Sequence, residues 1–287
     1  MTPEARDSLF VAVTVDVDPD SNRAAPGRLG AVSPGAEGRA AFAACRTGLA
    51  VLLDALEARG LPATLFWEGR TLRELSDGPG GLPALPAAIT LEHGGHGYLH
   101  EDFAGVAGGR PPDAAETAEA VRRTAEAVRD VLGVQPRGFR APYCRLTPGL
   151  AHALADAGWH YDASLTRSLD AGCDLRPYAV PGEPRLRELS LCRSLDARGR
   201  PISAYLWQML EGRRPPDDYL ALVRTARARC PGGLLQIALH PWHLTVSAEG
   251  VATGDAPVRR LHEFLDRLVA LPGVAFTTAG AYLEANS

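Results

Sequence analysis

Four short clusters in this 287-residue chain carry residue types that could do chemistry together. Asp16 and Asp18 stand two apart at the end of the apolar run from Leu9 to Val17. A strand has a two-residue period, so both would face one way if the chain stays extended through Asp18. Two like charges so placed repel unless a cation separates them or one takes up a proton. His96 and His100 are four apart, and on a helical turn they would share a face and could share one metal ion. The glycines among them argue against a regular helix, and His93 reads as a loop residue or as one that supports a ligand. Gly138-Phe139-Arg140-Ala141-Pro142-Tyr143 supplies a fixed cation, Arg140, able to orient a carboxylate. The stiff turn at Pro142 could aim a backbone N–H at an oxyanion. His240 ends an apolar strand in Leu239-His240-Pro241-Trp242-His243 and is a natural general acid near neutral pH, whereas His243 is less well placed. Taken singly, each cluster also has an ordinary reading: an acidic turn, loop histidines, a surface arginine, a satisfied core histidine. Cys144 reads as a small buried hydrophobe.

The elements that must position these residues alternate. Leu9 to Val17 reads as a strand, Ala41 to Arg59 as a helix with Gly60 just past its end, and Pro62 to Trp67 as a second strand. Ala87 to Leu91 is a third short strand, Ala114 to Leu132 a strongly amphipathic helix, and Gly138-Phe139 a fourth strand. Thr147-Pro148 opens a helix that ends at Gly158. Asp217 to Arg229 is helical, Leu234 to Leu239 a strand, Val258 to Leu271 the last long helix, and Val274 to Thr277 the final strand. Such alternation implies a parallel sheet, and at this length a closed or nearly closed α/β barrel with its chemistry at the strands' C-terminal ends. Residues 19–40 and 163–216, rich in Pro, Gly and charged residues, read as loop insertions on a single catalytic domain spanning residues 1–287 rather than as a second domain.

Composition narrows the function classes. A net charge of −4 argues against a nucleic-acid partner, which needs a concentrated basic surface. The five cysteines are scattered without a Cys-x-x-Cys, so neither a disulfide framework nor a thiolate zinc site is implied. No apolar run approaches a membrane span and the first residues do not read as a signal peptide, so the expected location is the cytoplasm.

The ordered set Asp-x-Asp, His-x-x-x-His, Arg-Ala-Pro-Tyr, Leu-His-Pro-Trp resembles the polysaccharide deacetylase (NodB-homology, carbohydrate esterase family 4) superfamily over about residues 9–280. Gly60 to Phe66 and Gly158 to Leu165 are similar to further segments of that family. The resemblance implies a distorted (β/α)7 barrel and one divalent metal ion, usually Zn2+, with Co2+, Ni2+ or Fe2+ as alternatives. It implies Asp18, His96 and His100 as ligands, Asp16 as the base that activates the attacking water, and His240 as the acid that protonates the leaving amine. Arg140 would hold Asp16, the Tyr143 backbone N–H would help bind the oxyanion, and Asp162 would tune the acid histidine. The chain departs from the family in three places: Val17 separates the aspartates, Gly97 replaces the usual Ser or Thr, and Ala141 replaces the usual Pro. The expected activity is deacylation of an N-acylated amino sugar or sugar-containing intermediate. A non-sugar amide, cyclic imide or ureide is the alternative substrate, and a non-catalytic carbohydrate-binding barrel is a third reading.

Overall fold

A computed structural model describes residues 8–19, 21–25, 28–31, 38–107, 110–247 and 252–286. The first strand, β1 (Leu9–Val17), is a valine-rich run buried along nearly its whole length, as parallel sheets covered on both faces require. Alternation assigns its two faces. Val11, Val13, Val15 and Val17 join one core with Leu49, Leu52, Leu53 and Leu56 of helix α1 (Gly38–Glu57), while Ala12 packs on the other side against Phe66 and Tyr161. Thr14 and Asp16 share the parity of Ala12, so the inner face carries a carboxylate among apolar neighbours. Each buried valine contributes roughly 1.5–3 kcal/mol relative to exposure.

The sequence reading of residues 19–40 as loop changes in part. Within it lie β2 (Ser21–Ala25) and β3 (Arg28–Ala31), paired antiparallel, and the start of α1 at Gly38. The main path continues through β4 (Ala63–Trp67), helix α2 (Gly69–Asp77), β5 (Leu91–Gly95), helix α3 (Ala114–Leu132), β6 (Gly138–Phe139), helix α4 (Pro148–Asp156) and β7 (Tyr161–Asp162). Helix α3 has the bounds expected from its pattern, because its ends are chemically marked. Asp113 and Glu116 form a reciprocal capping box, and Gly133 closes the helix at φ 70°. The third strand is shifted from the expected 87–91 to 91–95, which places His96 directly after its end.

The segment 163–216 is not irregular. It holds β8 (Thr166–Ser168), β9 (Tyr178–Val180), β10 (Glu183–Glu188), β11 (Leu191–Leu195), β12 (Pro201–Ser203) and the short helix α5 (Trp207–Leu210). The chain ends with α6 (Pro216–Arg229), β13 (Leu234–Leu239), α7 (Ala256–Val269), β14 (Val274–Phe276) and α8 (Ala279–Asn286).

Seven parallel strands run in the order β13-β1-β4-β5-β6-β7-β10, with β9 antiparallel at one edge and β14 beside the start of β1. This curled sheet is the distorted barrel expected from the motifs. Among the described residues no ladder joins β10 to β13. The gap is bridged instead by the Gln236 side-chain amide donating to the Leu189 carbonyl, and by residues 204–206 running beside β13. A smaller sheet, ordered β12-β11-β8, is built wholly from the 163–216 segment. At the N-terminal end of the barrel, α8 acts as a plug. Ala279 N–H donates to the Thr64 hydroxyl, and Gly280 N–H donates to Glu92, which also accepts from Thr64 and Tyr161. Among the described residues no helix is long and apolar enough to cross a membrane.

Candidate active site

The singled-out residues converge at the C-terminal ends of the parallel strands. Asp16 and Asp18 end β1, His96 follows β5, Arg140 follows β6 and His240 follows β13. One ligand atom each from Asp18, His96 and His100 lie within 4.8 Å of one another, and all three residues are buried. The pair of histidines is not on a helix, in keeping with the glycines among them. Their rings meet with centroids 5.1 Å apart because the connecting loop turns twice through left-handed backbone, at Gly97 (φ 76°) and His100 (φ 53°). A Cβ at residue 97 would stand 2.6 Å from a Glu101 carboxylate oxygen, which accounts for glycine there. That carboxylate accepts from the Tyr98 and Leu99 N–H groups and so pins the loop.

The donor set suits a divalent metal. The Arg140 carbonyl can only accept, so His96 Nδ1, 2.7 Å away, carries the proton. Nε2 is then left with its lone pair, and it lies 3.6 Å from Asp18 Oδ2. A carbonyl behind the ligating ring is the usual means of fixing tautomer and orientation. Burial holds the pKa of His96 low and that of His100 lower still, which keeps both imidazoles neutral as ligation requires. His100 Nδ1 is buried and makes no hydrogen bond among the described residues. Two neutral imidazoles and a carboxylate leave coordination positions open, as in catalytic rather than structural sites.

Around this triad sits a second set. Asp16 is buried, which by itself pushes its pKa up, but Arg140, His96, His240 and the Tyr205 hydroxyl together bring it down to about 2. Arg140 Nη1 donates to Asp16 Oδ1 at 2.9 Å, Nη2 to Gln236 at 2.8 Å and Nε to the Ala163 carbonyl at 3.0 Å. Its guanidinium also lies 4.6 Å over the Phe66 ring. His240 Nε2 is 3.3 Å from Asp18 Oδ2, and burial pushes its pKa down to about 4.

One further residue stands in the site without a motif to announce it. The Tyr205 hydroxyl donates to Asp16 Oδ2 at 2.7 Å and lies 3.1 Å from both ring nitrogens of His240. Tyr205 arrives because Ala204 and Leu206 pair with Ala238 on the edge of β13, two residues before His240. The signal in the sequence was only its position in the segment read as an insertion.

The other candidates are placed as follows. Tyr143 occupies left-handed backbone (φ 60°, ψ 11°) in the turn Pro142–Cys144, its ring 5.2 Å from that of His100. Asp162 does not approach His240 in any described contact. It accepts from Ser164 N–H and Oγ–H and shares a hydrogen bond with Glu188, while Ser164 accepts from Ala141 N–H. Asp162 thus braces the Arg140-Ala141-Pro142 turn, and burial raises its pKa to about 6. His93 lies outside the triad and accepts from the Trp67 indole at 3.1 Å. His243 is stacked on Trp242, with centroids 3.8 Å apart.

Comparison with known proteins bears on the family resemblance and the fold. Residues 43–161 match the polysaccharide deacetylase family, a span that includes His96, His100 and Arg140 and excludes Asp16, Asp18 and His240. A peptidoglycan deacetylase from Helicobacter pylori is 28% identical over 178 residues, 60% of this chain, and the match spans about half (53%) of that relative's length. Among solved structures, a Mycobacterium smegmatis protein assigned to the polysaccharide deacetylases superposes with a TM-score of 0.66 at 22% identity, covering 100% of this chain and 92% of the other. Puue allantoinase superposes with a TM-score of 0.66 at 17% identity, covering 99% and 91%. These two likenesses speak to the fold. Residues 43–161 thus resemble the polysaccharide deacetylase family, and the chain shares the curled parallel barrel of these solved structures.

Proposed function

We propose that the chain is a metal-dependent deacylase that hydrolyses the amide of an N-acylated amino sugar or sugar-containing intermediate. The observation that carries this reading is the buried Asp18, His96 and His100 cluster flanked on one side by Asp16 and His240. A divalent ion, Zn2+ in the simplest case, would be held by that cluster and would supply Lewis-acid polarisation of the acyl oxygen and a more acidic water.

The roles of the chain's own groups follow from their partners. Arg140 keeps Asp16 ionised and fixes one of its oxygens, so the other, Oδ2, is the one available to take a proton from an attacking water. The Tyr205 hydroxyl bridges that oxygen and His240, and a hydroxyl can accept from one neighbour while donating to the other. His240, once protonated, can pass the proton to the departing nitrogen, without which amide cleavage stalls. Tyr143, turned through left-handed backbone beside His100, is the residue whose N–H we assign to the acyl oxyanion. Asp162 is assigned a supporting role beneath the Arg140 turn in place of contact with His240.

The test is a metal-supplemented assay for released acetate and formate across N-acylated amino sugars, with Asp16→Asn as control. Release by the wild type and retention of metal but not turnover by D16N are expected. A ring-opened product from a cyclic ureide or imide, with no acid released from any sugar, would transfer the same machinery to the non-sugar reading. A binding-only barrel would leave Asp16 and His240 without a task.

A further inference from the structure

A cavity of about 710 Å3 opens at the turn that follows Tyr143, and its charge is the reverse of the chain's. The chain carries a net charge of −4, yet Arg145, Arg167 and Arg193 all line this cavity, and no carboxylate does. Elsewhere on the surface arginines meet acids, as Arg122 meets Glu119 and Glu126, and Arg110 meets Glu116. Among the described residues none of the three cavity arginines forms an ion pair. They come from three separate pieces of chain: the turn after Tyr143, strand β8 and strand β11. Arg167 is held 5.1 Å over the Tyr178 ring, which limits where its guanidinium can go. Three like charges around one concavity repel one another, and each presents a planar fork that matches a phosphate or carboxylate. An anion relieves the repulsion and satisfies the forks together. The cavity also adjoins the chemistry. Cys144 forms part of its wall and directly follows Tyr143, whose ring packs on His100.

We propose that this cavity is an anion subsite of the active site, and that the substrate is an N-acylated molecule bearing a phosphate or carboxylate that docks on Arg145, Arg167 and Arg193. This rests on the deacylase reading for what is done to the substrate, but not for the anion binding itself. A neutral polymer would bring no counter-charge to the three guanidinium groups, so the inference narrows the substrate to a charged, small or lipid- or nucleotide-linked unit.

The test compares the metal-loaded wild type with R167S/R193S, whose substitutions lie on exposed strand positions away from the metal ligands. Inorganic phosphate and malonate are titrated into each by calorimetry. Any phosphate bound at the metal is common to both proteins, so the difference reports the cavity. At least about ten-fold weaker binding of one probe is expected in the variant, the charge-assisted hydrogen bonds of two forks being lost. The probe that weakens more identifies phosphate or carboxylate as the native group. Equal affinities in the two proteins for both probes overturn the proposal. In parallel, kcat/KM is compared for N-acetylglucosamine 1-phosphate, N-acetylmuramic acid and N-acetylglucosamine. An advantage for a charged sugar that collapses in R167S/R193S, with the neutral sugar unchanged, supports the subsite. A charged-to-neutral ratio that the variant leaves unchanged overturns it. Absence of turnover on all three sugars, with the calorimetric difference intact, removes the deacylase reading and leaves the anion site standing.

Discussion

Arg140→Met is the most informative single change, because it removes a charge while keeping the length and apolar stem of the side chain. Arg140 is fully buried and makes three hydrogen bonds, one of them to a buried carboxylate. Removing one partner of a buried ion pair costs roughly 3–5 kcal/mol, since the other charge stays behind without compensation. The Asp16 pKa gives a second, independent route to the magnitude. It falls from the ordinary 3.8 to about 2, so this carboxylate contributes about 2 kcal/mol of stability at neutral pH. The sign is that of a depressed acid. The contribution is present above pH 3.8 and is lost as pH falls through about 2. In R140M burial is left without its main opponent, so Asp16 takes up a proton more readily and the wild-type acid sensitivity diminishes or reverses. Urea unfolding at pH 7 should therefore show R140M destabilised by about 3–5 kcal/mol. The double variant D16N/R140M should recover about 2 kcal/mol relative to additivity, because no uncompensated charge remains. Neither variant should turn over substrate. A loss below about 1 kcal/mol in R140M, or strict additivity with D16N, would refute the argument that Arg140 is there to hold Asp16 ionised.

Four further outcomes follow from the same geometry. His96→Ala should purify without stoichiometric metal, measured by elemental analysis, whereas His93→Ala should retain it. Tyr205→Phe should keep metal and fold but lower kcat about 10–100-fold with little change in KM, because it removes only the hydroxyl between Asp16 and His240. Gly48→Ala, ordinarily stabilising by about 1 kcal/mol inside a helix, should instead destabilise by about 1–3 kcal/mol and depress turnover. A Cβ there would meet the Pro241 carbonyl oxygen at 1.9 Å and push the turn that carries His240. The buried Asp162 and Glu188 share a hydrogen bond, and burial raises both, Asp162 to about 6 and Glu188 well above its ordinary 4.5. Raised acids lose stability as pH climbs, here from 3.8 through about 6 and beyond. Glu188→Gln should flatten the fall of Tm across that window, and an unchanged slope would show that the pair does not share a proton.

Much of this was legible because strand ends and helix caps are local. The Val-rich run to Asp16 and Asp18, the Leu234–Leu239 strand before His240, and the Asp113/Glu116 box opening α3 each declare themselves within a few residues. The loop path that brings His96 and His100 together was not legible, since spacing alone cannot distinguish a helical turn from a loop with two left-handed residues. The 163–216 segment hid its strands because they are three to six residues long and rich in Arg, Glu and Pro, and their pairing is with one another and with β7. Tyr205 hid for the same reason. Nothing near it in sequence indicates that its neighbours will pair with Ala238.

That division has a physical consequence. Asp16, Asp18, His96, Arg140 and His240 are fixed at or just past strand ends and His100 by the loop after β5, and Arg140 ties them together through its side chain to Asp16 and its backbone carbonyl to His96. A displacement of Arg140 therefore moves Asp16 and His96 at once, and the two cannot drift apart by separate substitutions. The 163–216 segment touches this core through Tyr205 on Asp16 and His240, the Ala163 carbonyl on Arg140, Ser164 beneath Ala141, the Leu189 carbonyl on Gln236, and the pairing of residues 204 and 206 with Ala238. The cavity arginines of β8 and β11 lie beyond those points. Changes on the small sheet should accordingly alter which amide is presented while leaving metal content and the acid–base pair intact. A variant such as R193S that lost metal would show the two layers to be one cooperative unit.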